Sequence, residues 1–218
     1  PRAHEIANQA RELLAAAELM LAPIPAFDPA THVGRWAVSM PEYVDCRLTS
    51  VLVERLSQRA PRSTLIVYPP NPGQAEHMLE VGELDLRLGW VDHTSPTTRS
   101  RGLYHESFSC LMRKGHPAVR QGLSVERYIA ADHVRVQVSR PNTASRAMDA
   151  AAQKLGLELR VALVVPSLMS LARTVAVTDL MGTVPSGMAH TLASTFGLEL
   201  APLPLKIPTL NVAMYWHE

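Results

Sequence analysis

Five junctions in this sequence join proline to a serine or an asparagine beside an apolar run. They are Ser39-Met40-Pro41, Pro69-Pro70-Asn71-Pro72, Ser139-Arg140-Pro141-Asn142, Pro166-Ser167 and Pro185-Ser186. Short hydroxyl and amide side chains are favoured helix caps, and proline is tolerated in a first helical turn. Each junction reads as a strand end that delivers the chain into a helix. A helix start carries unpaired backbone N–H groups and a partial positive charge, so such an edge binds small anions. The chemistry these residues suggest is the holding of a compact acidic or polar molecule.

Signatures of catalysis are absent from the sequence. It has no GxSxG elbow, no GxGxxG after a first strand and no phosphate-binding Walker loop. Nine histidines are scattered without an HExxH, and the two cysteines, Cys46 and Cys110, form no ligand pair. The expectation is a protein that is not an enzyme and carries no cofactor or metal.

The elements that position these junctions follow from hydrophobic periodicity. Residues 161–187 show the scheme twice. Val161–Val165 has the length and branching of a buried strand, and Ser167 caps a helix over 168–175. Thr178-Asp179 turns the chain, 180–184 is a second strand, and Pro185-Ser186-Gly187 opens another helix. Earlier strands are expected at 35–38, 64–68, 84–90, 103–112 and 133–138, and a last one at 210–216. Helices are expected from Ser39-Met40-Pro41 to about Gln58, from Asn71 to a left-handed Gly82, and over 124–130 and 144–155. Strands alternating with helices imply parallel sheets covered on both faces, with ligands gathered at the carboxyl ends of the strands. The polar loop at 92–101 and the turn region at 113–122 suggest two similar lobes.

Residues 2–21 carry an apolar stripe that includes Ile6, Ala10, Leu13, Leu14 and Leu21, at near-heptad spacing. That helix, which ends in the stiff Ala22-Pro23-Ile24-Pro25, either lies on its own domain or reaches another subunit or bridges to a further domain.

Bulk properties fit this picture. With 218 residues, 47% hydrophobic and 19% charged, and a net charge of +1, the chain suits one or two lobes, and its charge alone does not predict nucleic-acid contact. No apolar stretch reaches the roughly 20 residues of a membrane helix, and no secretory leader is visible. Two reduced thiols and a cytoplasmic setting are expected.

With the elements in order, the chain resembles the linker helix and effector-binding domain of LysR-type transcriptional regulators. The phrases that carry the resemblance are Phe27-Asp28-Pro29-Ala30, Leu79-Glu80-Val81-Gly82-Glu83-Leu84-Asp85-Leu86 and Arg113-Lys114-Gly115-His116-Pro117. Thr178-Asp179-Leu180 with Thr183-Val184-Pro185, and the ending Met214-Tyr215-Trp216-His217, complete them. The resemblance spans nearly the whole chain and is strongest to the subgroup that senses salicylate-like and nitroaromatic acids or nodulation flavonoids.

The resemblance implies an α/β fold of two Rossmann-like lobes with periplasmic-binding-protein type II architecture behind an N-terminal linker helix. Residues 1–26 would form the linker and dimerisation helix, 27–112 with 206–218 the first lobe, and 113–205 the second. It also implies a small organic effector, often a carboxylate or phenol, between the lobes. Self-association as a dimer or tetramer is implied too, with DNA contact only through a winged helix-turn-helix outside this sequence.

The residues expected at the effector are Ser39, Met40, Pro41, Asn71, Trp90, His133, Ser139, Arg140, Ser167, Leu168 and Thr183. Ser39 serves as cap, ligand contact or both. Arg140 either forks onto an acid group or faces solvent, and His133 is either a pocket or a structural histidine. Tyr68 and Trp90 end strands and offer aromatic surface to pocket or core. A solute-binding protein, or an enzyme on the same fold, is the alternative function.

Overall fold

The computed structural model describes the chain except residues 1, 22–26, 72, 91–93, 121 and 138–142, and except the side chains of 3–5, 15, 16, 18–21, 119, 120 and 143–145. The Pro-rich linker, Ser139 and Arg140 therefore lie outside the described residues. Helix α1 (Arg2–Leu21) comes first. Then follow β1 (Arg35–Ser39), α2 (Glu42–Arg59), β2 (Thr64–Tyr68), α3 (Ala75–Glu80), β3 (Leu86–Gly89) and β4 (Thr98–Glu106). The second half holds β5 (Phe108–Arg113), α4 (Pro117–Arg120), α5 (Val125–Ala130), β6 (His133–Val136), α6 (Thr143–Gln153) and β7 (Val161–Val165). It closes with α7 (Leu168–Val177), β8 (Met181–Pro185), α8 (Ser186–Phe196), β9 (Leu198–Pro202) and β10 (Leu210–His217).

Two five-stranded sheets result, ordered β2-β1-β3-β10-β4 and β7-β6-β8-β5-β9. In each, a parallel trio comes first: β1 lies between β2 and β3, and β6 between β7 and β8. The fourth strand of each, β10 or β5, runs antiparallel and is supplied by chain that has just crossed from the other sheet. The order reverses at β1 and at β6, which puts a crevice outside the carboxyl ends of the strands there.

The expected strand at 103–112 is corrected into two. β4 begins at Thr98, inside the expected loop, and ends at Glu106, and β5 already pairs in the second sheet. The crossing thus falls at Ser107, ahead of the expected lobe boundary at 112. Only Ser107 separates the two strands, so the sequence carries no turn signal there, although β4 is largely exposed and β5 has a continuous buried run.

β7 is a second correction. Its length and branching suit a buried strand, yet it is the sheet edge, with Leu163 at 37% and Val164 at 51% exposure. β9 had no sequence expectation. α2 and α7 match the expected spans closely, and Gly82 takes the left-handed conformation (φ +73°) that follows α3.

Cores form on each sheet. Val38, Met40, Val44, Leu88 and Val212 pack in the first lobe. Leu111, Val134, Leu171, Val175, Val184 and Ala189 pack where α7 and α8 cover the second sheet. Tyr43, in the first turn of α2, packs against both clusters and so joins the lobes. Burial and the nearby Tyr104 and Glu106 push its phenol pKa up, so it stays neutral.

Candidate functional site

Ser39 and Tyr68 are the last residues of β1 and β2 and face each other in register. With the start of α3 they open onto a pocket of about 200 Å³, lined also by Asn71, Gln74, Met78 and Leu84. Ser39 is buried, and its hydroxyl donates a long 3.4 Å bond to the Pro69 carbonyl. A charged acceptor in the pocket would take that proton more strongly. Asn71 donates its amide to Gln74 Oε1 at 2.7 Å, while its carbonyl accepts from the N–H groups of Gln74 and Ala75. Asn71 thus begins α3 through its backbone rather than by a side-chain cap. The middle of β1 is held by Asp85, whose carboxylate accepts from the Ala37 N–H at 2.7 Å.

Across the crevice, Ser167 is the expected N-cap of α7 and accepts from the Ser170 N–H at 3.1 Å. The Leu168 N–H is also committed. It donates at 2.7 Å to the carboxylate of Glu42, which belongs to the first turn of α2 in the other lobe. The start of α8 is filled in the same manner. Ser186 N–H donates to the Ser107 carbonyl at 2.9 Å, and Gly187 N–H to the Glu106 carboxylate at 3.1 Å. Glu106 is buried at the sheet crossing, with the Arg47 guanidinium 3.9 Å away and stacked over Tyr104. The expected open N–H groups at these two helix starts are therefore occupied by the protein's own acceptors.

The remaining expected residues fall in different places. Met40 is buried in the first-lobe core, and its N–H donates to the Tyr68 carbonyl at 3.0 Å. Pro41 is the residue before α2 and supplies no side-chain cap bond. Trp90 is half-buried and follows β3, where its backbone meets the Tyr43 hydroxyl.

His133 and Thr183 sit within the second lobe. His133 starts β6, at the end of the parallel strands opposite the crevice, and is buried, with Nε2–H donating to the Tyr128 carbonyl at 2.7 Å. Burial lowers its pKa, chiefly by desolvation and further by Arg135, against the opposing pull of the Tyr128 carbonyl. Thr183 shares a 2.7 Å hydroxyl bond with the buried Tyr128. Burial likewise pushes the Cys110 thiol up to about 12, making it an inert packing group.

Of the expected residues, Ser39 and Asn71 share one pocket, together with Tyr68. The Leu168 N–H reaches the other lobe while its side chain packs in the second-lobe core, and Ser167 bonds only within the start of α7 among the described residues. Glu42, Tyr43, Arg47, Glu106 and Gln74 were not singled out from the sequence. An acidic residue in a first helical turn is ordinary dipole compensation, so Glu42 carries no distinguishing sign until the lobes meet.

Comparison with known proteins agrees with this architecture. The solved regulatory domain of MexT, a transcriptional activator in Pseudomonas aeruginosa, has a TM-score of 0.72 at 23% identity and covers 86% of this chain and 90% of that one. HinK, a LysR family transcriptional regulator from the same organism, has a TM-score of 0.76 at 16% identity and covers all of this chain and 74% of that one. These likenesses show the fold, which is the periplasmic-binding-protein type II architecture.

In sequence, the transcriptional activator NagR of a Ralstonia species is 29% identical over 191 residues, and the regulator SyrM of Rhizobium meliloti is 34% identical over 190. The match takes 88% and 87% of this chain but 63% and 58% of those proteins, so the chain spans less than two thirds of their length. The model of the LysR substrate binding domain covers residues 29–218, from the turn before β1 to the final strand, and the chain belongs to that family.

Proposed function

We propose that this chain is the small-molecule-sensing part of a LysR-type transcriptional regulator. It binds a small aromatic or carboxylate effector at the crevice between its lobes. The carrying observation is the pocket at the carboxyl ends of β1 and β2, lined by first-lobe residues, where the buried Ser39 hydroxyl is held by one long bond. At about 200 Å³ it is smaller than the roughly 300–1,000 Å³ pockets that hold drug-sized ligands, and so suits a single ring. Tyr68, Met78 and Leu84 supply apolar surface, while Ser39, Asn71 and Gln74 supply polar contacts. Ser167, Leu168 and Trp90 border the crevice, and Ser139 and Arg140 complete this assignment from the sequence alone.

Effector binding changes lobe spacing, and paired subunits transmit the change to DNA-binding domains beyond this sequence. Pairing is supported by exposed apolar residues: Ile6, Leu13 and Leu14 on α1, Val51 and Val53 on α2, and Val164 on the β7 edge. A cytoplasmic setting accompanies this reading. The differential affinity of the effector for two lobe arrangements supplies the switch.

A thermal-shift screen against small aromatic acids, nitroaromatics and phenols tests the proposal. An effector at about 100–1,000 times its Kd adds about 3–4 kcal/mol of stability. Ser39→Ala is expected to remove most of that shift, and an unchanged shift would place the effector elsewhere.

A further inference from the structure

We propose that the first two turns of α2 form a clasp that sets the spacing of the lobes, and that an effector entering the crevice has to release it. Glu42 and Tyr43 reach the second lobe directly, and Arg47 braces Glu106 of β4, which does so in turn. Glu42 accepts the Leu168 N–H at the start of α7 at 2.7 Å. Tyr43 packs into the cores of both lobes. Arg47 stacks over Tyr104 and stands 3.9 Å from Glu106, whose other oxygen accepts the Gly187 N–H at the start of α8.

The arrangement is electrostatically consistent. The Glu42 carboxylate lies at the positive ends of two helices, its own α2 and α7, and Pro41 gives α2 no competing side-chain cap. Glu106 meets the positive end of α8, with Arg47 opposite. Each carboxylate satisfies an N–H that a helix leaves unpaired, so separating the lobes exposes two donors at once.

Gly187 ties the second contact to close packing. A Cβ there would lie 2.9 Å from Glu106 Oε2 and 3.0 Å from the Arg47 guanidinium, both flexible side-chain ends. Gly187→Ala therefore displaces that half of the clasp while α8 gains a better helix former.

The clasp rests on the effector reading only for what releases it, and amide hydrogen exchange tests it without any ligand. In Glu42→Ala the Leu168 amide is expected to exchange about tenfold faster or more, with Gly187 following. In Gly187→Ala the Leu168 amide speeds up although Glu42 is untouched. Glu42→Gln, which keeps an acceptor, restores part of the protection. Exchange confined to the altered contact in each variant, or unchanged in both, overturns the clasp.

Salicylate titration then separates this inference from the effector reading. Binding tightened about tenfold in Glu42→Ala supports release by the ligand; affinity equal to wild type overturns that step. Salicylate and related aromatic acids binding neither protein counts against the effector reading, while exchange still decides the clasp.

Discussion

The Glu42 carboxylate and the Leu168 backbone N–H, 126 positions apart in sequence, meet at 2.7 Å and join the first turns of α2 and α7. A hydrogen bond to an ionised group contributes about 1.5–3 kcal/mol when shielded, and Glu42 is only half-buried. Glu42→Ala is expected to lower unfolding free energy by about 1–2 kcal/mol, read as a shift in urea midpoint at constant slope.

Ser167 is a structural cap whatever else it touches. Its hydroxyl oxygen accepts from Ser170 N–H and its hydroxyl group donates to Ser170 Oγ at 3.1 Å. Ser167→Ala should cost about 1 kcal/mol in chemical denaturation. Ser167→Asp, which keeps an accepting cap, should recover most of it.

His133 should make stability depend on pH. Its folded pKa lies below the ordinary value, so the unfolded chain takes up the proton first. Its contribution is intact above about pH 6.5 and is lost as pH falls from there toward the lowered folded value. Urea midpoints across that window should fall more steeply for the wild type than for His133→Asn. Equal slopes would show that His133 titrates as it does in the unfolded chain.

Gly182 in β8 lies beneath α7, and a Cβ there would come within 2.5 Å of Leu171 Cδ2 and 3.2 Å of Val175. Both side chains are fully buried, so the overlap cannot relax outward. Gly182→Ala should cost about 1–3 kcal/mol, measured by thermal unfolding.

Sequence pattern revealed the alternation of strand and helix and the capped start of α7, because each has a local cause. Ser167 is followed by an apolar-periodic run, and Gly82 sits where a left-handed turn is required. Edge or centre is not local. Val161–Val165 reads as buried because branching reports strand propensity and not the number of neighbours. The crossing at Ser107 takes a single residue with no glycine or proline, so the change of sheet leaves no turn signal in the sequence.

The site was legible in the same proportion. Ser39 and Asn71 end up in one pocket because strand ends and helix starts are readable from caps and prolines. His133 opens its strand rather than ending it, and Thr183 is spent on Tyr128. Glu42 and Glu106 became visible only when the lobes were brought together, since each acts on a helix distant in sequence.

Amide chemical-shift mapping with salicylate, benzoate and nitrobenzoate tests the central claim most directly. Saturable shifts centred on Ser39, Tyr68, Asn71 and Gln74, and abolished by Ser39→Ala, are predicted. Saturable shifts centred instead on the second-lobe hollow lined by His116, Arg127 and Met181, or no saturable shift with any of the three acids, would contradict it.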